Sequence, residues 1–567
     1  MHPLGNAPTE RETLKMKSAA PVLVLAFCLA TPAFAKNAKK PDAGKSAAAT
    51  AGTSAAVKDN RPTATLGTTR AAAERGDASA QHSLGEMYED GRGVPQDHAQ
   101  ALSWYRKAAD QGFAQSQVNL GLMYATGRGV AQSDTEAIAW FRKAADQGKA
   151  VAQRNLGLMY EQGRGVARDD AAAVNWYQKA ADQGYAGGQT NLGHMYEQGL
   201  GVVQDDAKAV DWYRKAADQG EPAAQNNLGA MYALGKGVGQ DDAQAVAWYR
   251  KSADQGFAAA QYNLGLAYKA GHGVARDDAR AVAWWRKAAD QGLAVAESGL
   301  GLAYMSGQGV ARDAVQGVAW WRKAADHEDV QTQSSLGMAY KEGLGVARDD
   351  AQAVAWLRKA ADRGFAQAQS NLGVMYQDGR GVVRDDAQAV AWYRKSAEQG
   401  HASGQTNLGV MYENAKGVAR DDTQAVAWYR KAADQGYGPA QNNLGVMYMN
   451  GRGVAQDDAR AVAWYRKAAD RGLAQAQSNL GGMYLEGRGV VRDDAQAVAW
   501  FRKAAEQGDA NGQTNLGVMY VTGRGVARDD AQAAAWFRKA AEQRHPKAKE
   551  ALRMMEADGR LASKESR

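Results

Sequence analysis

The chain has 567 residues, with 69 basic and 62 acidic side chains and a formal net charge of +7. The charges are interleaved throughout, with no basic block of the kind that tracks a phosphate backbone, so a nucleic-acid partner is not expected. One cysteine, Cys28, leaves no room for a disulfide framework.

Residues 1–35 read as an N-terminal segment and secretory signal peptide. A short basic start (Lys15, Lys17) precedes an apolar run from Ala19 to Ala30, and Ala33-Phe34-Ala35 supplies small residues at a cleavage site. The run is too short to span a bilayer comfortably. Phe27 before Cys28 argues against lipoprotein processing, and Glu10 and Glu12 suit a signal start poorly, so Met16 is an alternative start. Export to the periplasm, the cell surface or the medium is the expectation. Residues 36–67 are rich in Ala, Lys, Thr and Ser without apolar periodicity, and read as a disordered linker.

From there one pattern governs. Thirteen tryptophans recur every 36 residues, from Trp104 through Trp140 to Trp536. A reaction centre has no use for thirteen copies of a residue at constant pitch. A stack of helical hairpins does, because one hairpin cannot bury its apolar face alone. Residues 68–76 read as a partial leading helix, 77–544 as thirteen full repeats, 545–560 as a capping helix and 561–567 as a tail. In the first repeat Ala80, Leu84, Met87 and Tyr88 form one stripe of a leading helix. Gly91-Arg92-Gly93 is a turn. Asp97 is placed to cap a second helix bearing Ala101, Trp104, Tyr105 and Ala108, and Gly112 ends it. Its cap column is Asp in twelve repeats and Ser133 in the other. Arg106 and Asp110, four apart, are expected to pair on the exposed face.

A glycine column, Gly85, Gly121, Gly157 and their counterparts, sits inside the leading helix, where glycine costs about 1 kcal/mol against alanine. Close approach of a facing helix, expected to carry the tryptophan ring, would compensate. Alanine at Gly265 should then destabilise.

The unit A-Q-x-N-L-G-x-M-Y-x-x-G-R-G-V, followed by W-Y-R-K-A-A-D-Q-G, is illustrated by Gln117 to Tyr124, Gly127 to Val130 and Trp140 to Ala145. It resembles the Sel1-like repeat, a relative of the tetratricopeptide repeat. The resemblance implies an all-α solenoid, a right-handed superhelix of helix-turn-helix units with a concave wall. It also implies an adaptor role. Exported bacterial members of the family are similar in serving envelope signalling, exopolysaccharide export or host contact. A cysteine-rich branch has been discussed as penicillin-binding; these repeats lack cysteine, and no Ser-x-x-Lys occurs, so β-lactam hydrolysis is not expected.

Two groups stand out as possible binding residues. Asn119, Asn155, Asn191, Asn227, Asn263, Asn371, Asn407, Asn443, Asn479 and Asn515 precede the leucine-glycine pair. A carboxamide offers one acceptor and two donors, so such a ladder can grip an extended peptide; equally, each amide can bond a neighbouring backbone and lock adjacent repeats. Repeats six to eight carry Ala267, Ala303 and Ala339 in the methionine column and Trp285, Trp321 and Leu357 as second aromatic. Trp285 and Trp321 read either as an aromatic binding patch or as volume compensation. The eight histidines show no metal spacing, so neither metal nor cofactor is expected. Variable positions after the tyrosine, such as Glu89-Asp90, Met305-Ser306 and Lys341-Glu342, are the expected source of specificity. The reading is a non-catalytic exported adaptor for protein or peptide, of unknown oligomeric state. The alternatives are a scaffold for an exopolysaccharide export complex and, remotely, a penicillin-binding hydrolase.

Overall fold

A computed structural model describes residues 66–560. The signal peptide with Cys28, residues 36–65 of the expected linker and the tail lie outside the described residues. Among those described there are 28 helices and no strand. The first helix, Leu66–Glu74, begins two residues before the expected boundary, and the last is Pro546–Ala557. The chain is an α-solenoid of two compact units, one ending at Arg312 and the other starting at Asp313.

Each repeat is a pair of helices, most of 13 residues, as in Ala114–Thr126 and Asp134–Asp146. The second helix starts where a side chain can satisfy its free N–H groups: Asp97 accepts from the backbone of Ala99 and Gln100, and Ser133 accepts from Glu136. The leading helix ends on a left-handed glycine, Gly127 at φ 71°, a conformation that costs glycine little. At Ala415, where alanine stands in that column, φ is 54° and the helix stops one residue sooner, at Glu413.

The leucine column is fully buried in both units, from Leu84 and Leu120 to Leu480 and Leu516. The helix-interior glycines are explained by close approach, but the ring concerned is not the one expected. A Cβ on Gly85 would stand 2.6 Å from the Tyr105 ring, and one on Gly445 would stand 2.6 Å from Tyr465. In twelve repeats the residue after the tryptophan fills this slot, as with Phe141 against Gly121, Leu357 against Gly337 and Trp285 against Gly265. The tryptophan column itself packs sideways, Trp176 against the cluster around Phe141 and Leu156. In all thirteen repeats the lysine three residues on covers that ring, its Nζ 3.7–4.2 Å from the centroid.

The expected Arg106–Asp110 pair does not form. Arg106 donates instead to the Tyr124 hydroxyl of the following repeat. The same bond recurs from Arg142 to Tyr160 (2.6 Å) and from Arg430 to Tyr448 (2.8 Å). A bond between stacked units uses the long guanidinium arm better than a solvated pair on one helix does.

Candidate peptide-binding wall

Successive leading helices touch one another: Ala150–Gln162 meets Ala186–Gln198 in the first unit. In the second unit Ala366–Asp378 meets Ala402–Glu413, and Ala474–Glu486 meets Ala510–Thr522. At these places the stack closes on the leading-helix side, which presents a wall of successive leading helices. The asparagine column lies on these helices, one residue before the leucine that anchors each to the core.

Its members do not share one environment. Asn155, Asn191, Asn227 and Asn263 are buried, whereas Asn119, Asn371, Asn407, Asn443, Asn479 and Asn515 are half-buried. All five members in the second unit belong to the more open class. Several reach the tyrosine hydroxyl of the preceding second helix: Asn119 acts on Tyr105, Asn227 on Tyr213 and Asn443 on Tyr429. Others meet the residue before the asparagine in the preceding repeat. Asn263 donates to Asn226 (3.0 Å) and Asn479 to Asn442 (2.9 Å).

The position after the wall tyrosine is turned inward. Glu89 accepts the Tyr105 hydroxyl at 2.7 Å, Glu197 that of Tyr213 at 2.8 Å, and Gln377 that of Tyr393 at 2.8 Å. Met305 and Lys341 occupy the same place and are buried. Asp90, Ser306 and Glu342, one residue further on, are exposed. Of each expected specificity pair, only the second residue faces solvent.

Trp285 is 3 % exposed, and its Nε1 donates to the Tyr262 carbonyl at 3.2 Å. Gly299, which replaces the asparagine of its repeat, lies over the benzo ring of Trp285. The larger indole occupies space that a tyrosine and an asparagine share elsewhere, so Trp285 is core filling and offers no surface. Trp321 is half-buried and belongs to the second unit. Among the described residues no cluster of three or more His, Cys, Asp or Glu is placed to hold a metal, and no helix is long and apolar enough to cross a membrane.

One wall residue escaped the sequence reading. The column before the asparagine is Ser, Thr or Asn in nine repeats, and Arg154 is its only arginine. It is 7 % exposed. The signal was one long cation in a column of short polar side chains.

A family model described as Sel1 repeat matches thirteen consecutive segments, from 78–113 to 510–545. A protective antigen present in uropathogenic Escherichia coli strains, displaying an SLR fold, is 41% identical. That match covers 75% of this chain and 91% of the antigen, with a TM-score of 0.63. A Sel1 repeat protein from Oxalobacter formigenes is 36% identical over 55% of this chain and 89% of its own, with a TM-score of 0.42. No curated protein matches.

Proposed function

Because this chain belongs to the Sel1 repeat family, a kind of protein-interaction repeat scaffold, we propose that it is an exported adaptor. In this reading it holds an extended segment of a partner protein along its leading-helix wall. Sel1 repeat solenoids are generally non-catalytic scaffolds, and the proposal assigns this protein no reaction. Export is proposed on the signal-like residues 16–35.

The observation that carries the reading is the half-buried asparagine series of the second unit, Asn371 to Asn515. Half-burial leaves each amide fixed by its helix yet reachable. A backbone N–H and C=O can both be met by one carboxamide, so the series would hold a chain largely through its main chain. Side-chain preference would come from exposed neighbours such as Asp378 and Glu486.

The test is the triple variant Asn371→Ala, Asn407→Ala, Asn443→Ala. Retention of a 12-residue random peptide library by the immobilised full chain should fall at least tenfold, with the thermal midpoint within a few degrees of wild type. Collapse of the midpoint while the folded fraction binds normally would make the series architecture and sink the proposal.

A further inference from the structure

Arg154 is a cation that the fold buries without a counter-ion. Its Nε has no hydrogen-bond partner, and its one bond is a long 3.5 Å contact from Nη1 to Asn155 Oδ1. No carboxylate oxygen lies within 4.0 Å of it, so it takes part in no ion pair among the described residues. Glu161 and Glu221 feel its field from further off, as do the Tyr177 and Tyr185 hydroxyls. Glu161 is already committed to the Tyr177 hydroxyl. Burial pushes both carboxyls upward, which weakens them as counter-charges.

The next asparagine on the wall is also unsatisfied. Asn191 is 2 % exposed; like Asn119 and Asn227 it acts on a tyrosine hydroxyl, that of Tyr177, but neither its Oδ1 nor its Nδ2 makes a hydrogen bond of full geometry. The Tyr177 hydroxyl beside it directs its O–H to Glu161. In the equivalent position two repeats apart, Asn226 meets Asn263 and both amides are used. Arg154 has displaced that exchange and left a guanidinium edge and a whole amide with unspent donors. A buried charge without a partner is unfavourable unless something completes it. Five N–H donors in a planar fork match a carboxylate, and Asn191 adds two more.

We propose that Arg154, with Asn155 and Asn191, is a receptor for the side-chain carboxylate of a partner's acidic residue. This rests on the peptide-binding reading of the wall and adds to it a register mark: of the thirteen repeats only the third demands an anion. The asparagine column continues on both sides, at Asn119 and Asn227, so the bound chain passes through this point rather than ending there. That selects an acidic side chain over a C-terminus.

The test uses the full chain and three libraries of 12-residue peptides randomised around a central position. Two are acetylated and amidated, with Glu or Gln at the centre; the third has central Gln and a free C-terminal carboxylate. The Glu library should be retained about tenfold more strongly than the other two, and Arg154→Gln should remove the difference while both capped libraries still bind. Equal retention of the Glu and Gln libraries by wild type overturns the receptor and leaves the peptide reading standing. Preference for the free C-terminus overturns the side-chain assignment. Retention of none removes the peptide reading and this proposal together. A second measurement needs no ligand: Arg154→Met should keep or raise the thermal midpoint, because it relieves a buried, unpaired charge. A lowered midpoint would show that Glu161 and Glu221 use that charge inside the fold, and would overturn the proposal.

Discussion

Tyr213 and Glu197 show how much of this chain is settled by single contacts. The Tyr213 hydroxyl is buried and donates to Glu197 Oε2, while Glu197 Oε1 has no partner. The carboxyl is held above its ordinary range, chiefly by burial, against the lowering effect of the Tyr213 bond and Lys236. Gln377 does the same work for Tyr393 without a charge. Glu197→Gln should therefore stabilise the protein at pH 7 by about 1–2 kcal/mol, the scale of an unsatisfied buried polar group. A carboxyl raised in the folded state is penalised only when ionised. The gain should thus be largest at neutral pH and vanish as pH falls to about 4.5, the unfolded value; urea titrations across that range would show it. The pairing was legible in the sequence and went unread. Phenylalanine takes the slot where Ala125, Leu485 or Val521 follows the wall tyrosine, and tyrosine takes it where Glu89, Glu161 or Gln377 does. The tryptophan was assigned to the glycine for a simpler reason. Positions 104 and 105 recur with the same period, and period alone does not say which ring turns inward.

At the scale of the element, the helix limits followed directly from the sequence, because a cap is a local event: an aspartate oxygen and the N–H groups two and three residues on. What could not be read was the bond closing each repeat on itself. The glutamine before the final glycine donates to the glutamine of its own leading helix, as from Gln435 to Gln405 (2.8 Å), and also reaches the Gly400 carbonyl (2.9 Å). Those partners stand 30 and 35 residues away, and only packing brings them together. In two repeats the donor is an arginine, and there the buried acceptors Gln333 and Gln441 lose their partner. At the second, a cleft of about 400 Å³ opens beside Gln441, Trp464 and Arg471. Arg471→Gln should restore the bond to Gln441 and still reach the Gly436 carbonyl that Arg471 holds now. We expect about 1 kcal/mol of added stability, read as a rise of a few degrees in the melting midpoint. No change, or a fall, would mean the arginine contributes more than the amide it replaced.

At the scale of the whole molecule, one ion pair recurs at five described junctions, once in the first unit, from Arg164 to Asp134, and four times in the second. The arginine of the turn reaches back 30 residues to the second aspartate of the previous repeat: Arg380 to Asp350 and Arg488 to Asp458, both at 2.8 Å. Hydrogen bonds from Arg348 and then Arg380 hold the Asp350 carboxyl down to about 2. A carboxyl depressed in the folded state stabilises above its unfolded value and loses that contribution as the folded value is crossed from above. Acid should therefore weaken the protein progressively between about pH 4 and pH 2. Arg380→Gln should cost about 0.5 kcal/mol at pH 7, the scale of a solvated pair, and nothing below pH 2. A difference unchanged across that range would deny the pair any part in acid stability. The all-helical solenoid itself was fully legible, since a 36-residue period leaves few other ways to bury the apolar face. The division at Arg312 was not: it falls inside the seventh repeat, between the helices Ala294–Ser306 and Ala314–Asp326, where the 36-residue period continues without a break.

The uniform junctions carry one last consequence. Where every described seam seats the same turn glycine, from Gly129 to Gly525, against the backbone at the start of the previous second helix, a 36-residue block inserted or excised in frame leaves seams that already fit. Such a gene can grow or shorten by unequal recombination without a folding penalty at the join. The reach of the wall would then drift faster in evolution than the identity of any residue that builds it.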